Sequence, residues 1–231
     1  MGQIRLTGNP PIEVNLRRSA RARRLSLRIS QLDGRVTLTL PDAVPEAQGV
    51  AFLREKEDWL RGHLARQPGS VTIRAGARLP VEGALHEIRP GQGRSVRQAD
   101  GVLWVPGPEA RIAARLKGWL RARARDRLSE ACDLYAGRLG RGYDRLTLRD
   151  TRSRWGSCTH DGGLMFSWRL ILADPRVLDY VAAHEVAHLR HMNHSAAFWD
   201  QVRALYGDWQ PSRNWLRAHG HELHRYRFDA G

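Results

Sequence analysis

The sequence predicts an α+β protein in two parts. Over residues 1–106, short stretches alternate apolar with polar residues between Gly and Pro breaks, the two-residue period of half-buried strands. Over residues 107–231 the apolar residues recur at three- and four-residue steps along longer runs, the period of helices. A chain of 231 residues, 42% hydrophobic and with 8 Trp, can bury a sizeable core and is not a disordered polyelectrolyte. An N-terminal β-rich subdomain (1–106) and a C-terminal, more helical subdomain (107–231) are therefore expected.

The elements follow in order. Five arginines crowd the segment from Leu16 to Arg24, which reads as a solvated approach. Leu25, Leu27 and Ile29 then alternate with polar residues, as do Val36, Leu38 and Leu40 after Asp33-Gly34, so a hairpin is expected. From about Glu46 to Arg66, Phe52, Leu53, Trp59, Leu60 and Leu64 fall at helical spacing, and Gln67-Pro68-Gly69-Ser70 ends the helix. The pairs Val71/Ile73, Leu79/Val81, Leu85/Ile88 and Val102/Trp104 predict small strands. A long helix spans about Pro108 to Gly140, with Ile112, Leu116, Trp119, Leu120, Leu128 and Tyr135 inward. Arg111, Arg115, Arg121, Arg123, Arg125 and Arg127 surround it as a wet surface.

Beyond Gly140, strands are expected at Leu146–Leu148 and Leu164–Leu172. Asp174-Pro175 is a helix start, an N-cap followed by proline at the first helical position. Ser195 starts another helix carrying Phe198, Trp199, Val202 and Leu205. Pro211 opens the last, with Trp215 and Leu216 inside.

Composition narrows the class of protein. No apolar run approaches the ~20 residues of a membrane helix. Met1–Leu6 has no signal-peptide core, and Leu6 stands where myristoylation requires Ser or Thr. Cys132 and Cys158 make no disulfide framework. A cytoplasmic protein without a membrane partner is expected. The net charge of +14, carried almost wholly by arginine, attracts polyanions and leaves nucleic acid a possible partner, although no base-reading motif accompanies it.

The chemistry lies in His184-Glu185-Val186-Ala187-His188. At about 100° per residue, the two histidines lie ~40° apart on one helix face, one turn apart, and can close on one ion. Leu178, Ala182, Val186 and Leu189 form the core stripe, which puts Glu185 between that stripe and the histidine face. A carboxylate there is costly unless something offsets its desolvation, and a dication with bound water does so. Hydrolytic zinc takes three protein ligands and keeps one open position. His191 lies ~10.5 Å along the helix from His184, too far to share an ion at ~2.1 Å. His194 can return only if the helix stops near Met192-Asn193, where Asn tolerates left-handed backbone. The expected site is one zinc per chain on His184, His188 and His194, with Glu185 as the base that deprotonates the zinc-bound water. Cys158 as a fourth ligand would close the water position. His63, His86 and His160 read as ordinary core or surface groups, and His219, His221 and His224 as surface ones, with an oxyanion-stabilising donor among these last three as the alternative.

The fuller pattern runs Arg154-Trp155-Gly156-Ser157-Cys158-Thr159, Gly163–Leu172, Asp179–Ala183, the histidine motif, Asn193-His194-Ser195 and Phe198-Trp199. It closely resembles the YgjP-like metallopeptidases, relatives of the SprT-like zincins. Arg21–Ile29, Lys56–Leu60 and Trp215-Leu216 extend the likeness from about Arg17 to Leu223. The metzincin spacing overlaps, but His191 replaces its glycine and no clear Met-turn follows. The resemblance implies a zincin-like metallopeptidase core, a twisted sheet with the active helix beneath it, and a zinc-dependent hydrolase acting on peptides or proteins. It also implies a turn at 155–158 near the cleft. As in zincins, the strand before the active helix would lie at the sheet edge and pair with extended substrate. Leu164, Phe166 and Trp168 would then bind substrate, and Trp155 would form a wall. The alternatives are a nucleic-acid-associated protein with a structural or vestigial zinc site, or a protease acting on DNA-bound proteins. Glu185 discriminates, because a structural zinc site has no use for a buried carboxylate that does not ligate.

Overall fold

Alternation of apolar and polar residues shapes the first 69 residues. The structure is a computed structural model and describes residues 2–30, 34–65 and 69–228. The expected turn residue Asp33 and helix stop Gln67-Pro68 lie outside the described residues. Strands β1 (Gly2–Leu6), β2 (Ile12–Arg18), β3 (Ser26–Ile29) and β4 (Val36–Leu40) form one sheet in the order β1-β2-β4-β3. The expected hairpin is present as antiparallel β3 and β4, with Leu27 opposite Leu38. β1 and β2 add to the expected hairpin: Ile12, Val14 and Leu16 alternate as a buried strand face just ahead of the arginines that begin at Arg17.

The expected helix at 46–66 is two helices, α1 (Glu46–Glu55) and α2 (Glu57–Ala65), broken at Lys56. The break resets the helical phase, so Leu60 is buried while Trp59 is 46% exposed and meets the His63 ring instead. α1 packs on β4 through Gly49, where a Cβ would lie 2.7 Å from Leu40 Cδ2.

The chain divides into two compact units, Met1–Gly69 and Ser70–Gly231. The boundary thus falls at Gly69 and not after residue 106. Strands β5 (Val71–Thr72), β6 (Arg78–Val81), β7 (Ala84–Gly91), β8 (Arg97–Ala99) and β9 (Val102–Pro106) precede helix α3 (Ile112–Leu139). Periodicity changes near residue 107, but Leu79, Val81, Ile88, Leu103 and Val105 share one core with Ile112, Leu116 and Leu120 of α3. A change of secondary structure is not a domain boundary when both faces are buried together.

Glu82 and Gly83 join β6 to β7 with φ of +49° and +79°, the positive pair that a tight two-residue hairpin turn uses. The Glu82 carboxylate pairs with Arg123 and, at 3.1 Å, with Arg127. These two arginines are therefore ion-paired and half-buried rather than part of a wet surface. α3 ends at Gly140 with φ +70°, a left-handed C-cap.

A three-stranded sheet follows, of β10 (Arg145–Arg149), β11 (Gly156–Cys158) and β12 (Gly163–Ser167). β12 lies in the middle, parallel to β10 and antiparallel to β11. Residues 155–158, expected as a turn, thus supply a strand. The strand expected to run to Leu172 stops at Ser167, and Trp168–Leu172 form a buried 3₁₀ turn. Helices α4 (Pro175–Ala187), α5 (Ala196–Tyr206) and α6 (Gln210–His219) complete the unit, with β13 (Tyr226–Arg227) pairing in parallel with β5. Asp174 caps α4 as expected, its carboxylate accepting from the Arg176 amide at 2.9 Å. No helix is long and apolar enough to cross a membrane among the described residues.

Arg169 ties the C-terminal segment to this core. Its guanidinium donates to both Asp150 carboxylate oxygens, at 2.6 and 3.2 Å, and to the carbonyls of Leu223 and Tyr226, at 3.0 and 3.1 Å. Burial alone would raise Asp150, but the Arg169 fork outweighs it and holds the carboxyl below its usual range. His224, expected at the surface, is buried against Trp155. Burial, reinforced by the Arg169 charge, pushes it down to about 4.

A histidine depressed in this way supplies stability that is present above its unfolded pKa and lost as pH falls through the folded value. His224→Phe keeps a ring on Trp155 and removes the titration. Chemical denaturation at pH 7.5 and pH 5 should show the variant losing about 2 kcal/mol less than wild type. Equal losses would mean that His224 does not titrate as its burial requires.

Candidate metal centre

Helix α4 buries Val177, Leu178, Val181, Ala182 and Val186, which leaves His184 and His188 together on the adjoining face. The helix ends earlier than expected. Ala187 is its last residue, and the amides of both Arg190 and His191 turn back to the Ala187 carbonyl at 3.1 Å. Asn193 is not among the positive-φ residues. It shapes the turn through its side chain, whose Oδ1 accepts from the Ser195 amide at 3.3 Å. Ser195 is extended and starts α5 without a side-chain cap. Arg190 holds the turn from both sides: it donates to the Leu139 carbonyl at 2.7 Å and to Gln201 Oε1 at 3.0 Å.

This turn returns His194 to the helix. His194 Nε2 lies 3.1 Å from His184 Nε2, and one ligand atom from each of His184, His188 and His194 lies within 4.8 Å of the other two. Two nitrogens on one tetrahedral ion at ~2.05 Å lie about 3.3 Å apart, so the first pair already has nearly that spacing. His188 Nδ1 donates to the His191 carbonyl at 2.8 Å, which fixes the tautomer and leaves Nε2 free to ligate. His191 therefore joins the site through its backbone and not its ring. Buried Phe198 packs against all three imidazoles, with centroids 4.9, 4.4 and 4.8 Å from His184, His188 and His194.

Electrostatics favour neutral rings at His184 and His188. Burial pushes His184 down to about 3, with the neighbouring histidines adding to the shift, and it lowers His188 as well. The buried His184 Nδ1 has no hydrogen-bond partner.

Glu185 is only 6% exposed. Burial pushes its carboxyl up to about 8 against the opposing charge of Arg154. It fits because residue 156 is glycine: a Cβ there would stand 2.6 Å from Glu185 Cγ and Oε1. Glu185 and His184 line a cavity of about 260 Å³ together with Trp155, Gly156 and Tyr180.

The expected substrate strand is placed differently. β12 is paired on both sides, and Leu164, Phe166 and Trp168 are at most 1% exposed in the core. They can neither add a strand nor touch a ligand. β11 pairs only with β12 among the described residues, so of the sheet's two edges the one at Gly156–Cys158 lies next to the cavity. Trp155 does form a cavity wall. Cys158 stands outside the three-histidine group, and burial, with the nearby Glu185 charge, keeps it a thiol with a pKa of about 11.

Gly156, Arg213 and Arg217 were not legible as site residues. Only the unusual Trp-Gly-Ser-Cys run signalled the first, and nothing local marks the two arginines among so many.

Three convergent imidazoles could hold a metal ion, and one of them, His184, shares its cavity with the buried Glu185. The chain belongs to the YgjP-like metallopeptidase-domain family, which matches residues 23–219. It is thus a metallopeptidase-type domain over most of its length, with a three-histidine group able to hold a metal. Among solved structures it is similar to the metallopeptidase zymogen of Pyrococcus abyssi abylysin, at 18% identity and a TM-score of 0.34, over 42% of this chain and 92% of that one. No curated protein matches the chain.

The Gly156–Glu185 contact is testable by a double-mutant cycle. Gly156→Ala should destabilise the protein by about 1–3 kcal/mol through overpacking, and by much less in a Glu185→Ala background. The same cost in both backgrounds would show that the carboxylate does not need the missing Cβ.

Proposed function

We propose that the protein is a zinc-dependent peptidase in which Glu185 is the general base and acid. The observation that carries this reading is the burial of Glu185 in the cavity that His184 also lines, under a residue with no side chain. A site that only held metal would gain nothing from an unpaired buried carboxylate. Neutral imidazoles at His184 and His188, a fixed His188 tautomer and the His184–His194 spacing all fit zinc, and the free thiol of Cys158 leaves a ligand position open. His184, His188 and His194 would hold the ion, one per chain, and the ion would supply Lewis acidity toward a water and the scissile carbonyl.

Glu185 does the proton work. As carboxylate it takes a proton from the attacking water, and as acid it delivers that proton to the leaving nitrogen. Its burial makes both forms accessible near neutral pH, since desolvation favours the acid and a neighbouring cation the carboxylate. An extended peptide would lie along the open edge of β11 and bring its carbonyl toward the cavity. On this reading α3, α4 and the β10–β12 sheet form a zincin-type core, and the protein works in the cytoplasm. The competing reading, a nucleic-acid-associated protein with a vestigial site or a protease of DNA-bound proteins, rests on the net charge of +14. Glu185 in the cavity favours the peptidase.

Glu185→Gln should keep its zinc and its fold while losing cleavage of a quenched-fluorescent peptide library by roughly 10²–10⁴-fold. Wild-type cleavage by this variant would refute the mechanism.

His194→Ala should weaken zinc binding by more than about 100-fold, beyond the 10–100-fold usual for an outer-shell change. His191→Ala retains the carbonyl that orients His188 and should leave zinc binding close to wild type. Metal titrations giving the reverse ranking would place the third ligand elsewhere.

A further inference from the structure

The far wall of the same cavity carries two guanidinium groups that metal chemistry does not require. Arg213 and Arg217 lie one turn apart on α6 and line the cavity with Trp155 and Leu216. The half-buried Arg213 guanidinium lies over Trp199 and Trp209, 4.9 and 5.5 Å from their ring centroids, so its direction is set before any ligand arrives. Among the described residues, neither arginine has an acidic side chain within ion-pair distance. The cavity's one carboxylate is Glu185, which the proposed reaction occupies. Two cations line an apolar recess of about 260 Å³ with no acidic partner of their own among the described residues.

We propose that this recess accepts a carboxylate of the substrate beside the scissile bond, with Arg213 and Arg217 determining specificity. The carboxylate is that of an Asp or Glu side chain or of the peptide's own C-terminus. The Arg fork matches it in bidentate fashion, while Trp155 and Leu216 cover the adjoining methylenes. Binding would also relieve the cost of leaving the half-buried Arg213 charge unpaired. The inference rests on the peptidase reading for its substrate class.

The test is calorimetric binding to zinc-loaded Glu185→Gln protein. The ligands are end-blocked Ala-Ala-Glu-Ala-Ala, its Gln and Lys counterparts, and acetyl-trialanine with a free or an amidated C-terminus. At least one carboxylate form should bind tenfold or more tighter than its neutral match, and which pair shows the difference identifies the source. Arg213→Gln/Arg217→Gln should erase the difference. Arg217→Gln alone, at an exposed position, should reduce it severalfold with the fold intact. Equal affinities, a preference that survives the double variant, or no binding of any peptide at millimolar concentration would overturn the pocket. The two readings fail separately. A carboxylate preference in binding, with no peptide cleaved by wild type, would sink the peptidase and leave the pocket standing. Cleavage without the preference would do the opposite.

Discussion

The early end of α4 is the constraint on which the site depends. A helix carried through His191 would keep His184 and His188 on one face but send His194 along the axis, away from both. Stopping at Ala187 lets seven residues curl back and place a third imidazole 3.1 Å from the first. Each contact in the turn serves that return. Arg190 anchors it to the end of α3 and to α5, Asn193 shapes the approach to Ser195, and the His191 carbonyl orients His188. Phe198, on the next helix, then backs all three rings at once.

The sheet side of the cavity depends on a second close approach. Gly156 lets β11 pass over Glu185, and the antiparallel pairing of β11 with β12 holds that glycine in place. Gly220 allows the same closeness on the next wall, where a Cβ would come within 3.0 Å of Trp155. Trp155 in turn meets His224, in the segment that Arg169 fastens to Asp150. The cavity wall therefore depends on an ion pair remote from the histidines, in which Arg169 is buried and Asp150 faces solvent. Breaking one half of such a pair costs more than its net stabilising worth, because it leaves a buried charge alone.

How much of this was legible in the sequence depends on how local each cause is. The start of α4 was legible because Asp174 and Pro175 act on their own turn. The histidine grouping was legible because three- and four-residue spacing fixes a helix face, and because distance along the axis rules out His191. The reason for the return was not: it lies in side-chain and carbonyl contacts, with no left-handed Asn193. The place of β12 in its sheet depends on partners elsewhere in the chain. Its apolar run fits a central strand as well as an edge, so Leu164, Phe166 and Trp168 looked like binding residues and are core. The division at Gly69 was hidden for a similar reason, since the core that β6–β9 share with α3 is assembled from residues far apart in the chain. Arg213 and Arg217 stand out only once α6 is seen at the cavity.

The most direct test of the metal centre is zinc K-edge X-ray absorption on protein carrying one equivalent of zinc. Three imidazole nitrogens at about 2.0–2.1 Å with one further light-atom ligand are expected, falling to two imidazoles in His194→Ala. A sulfur at about 2.3 Å, or a first shell unchanged in that variant, would contradict the three-histidine site.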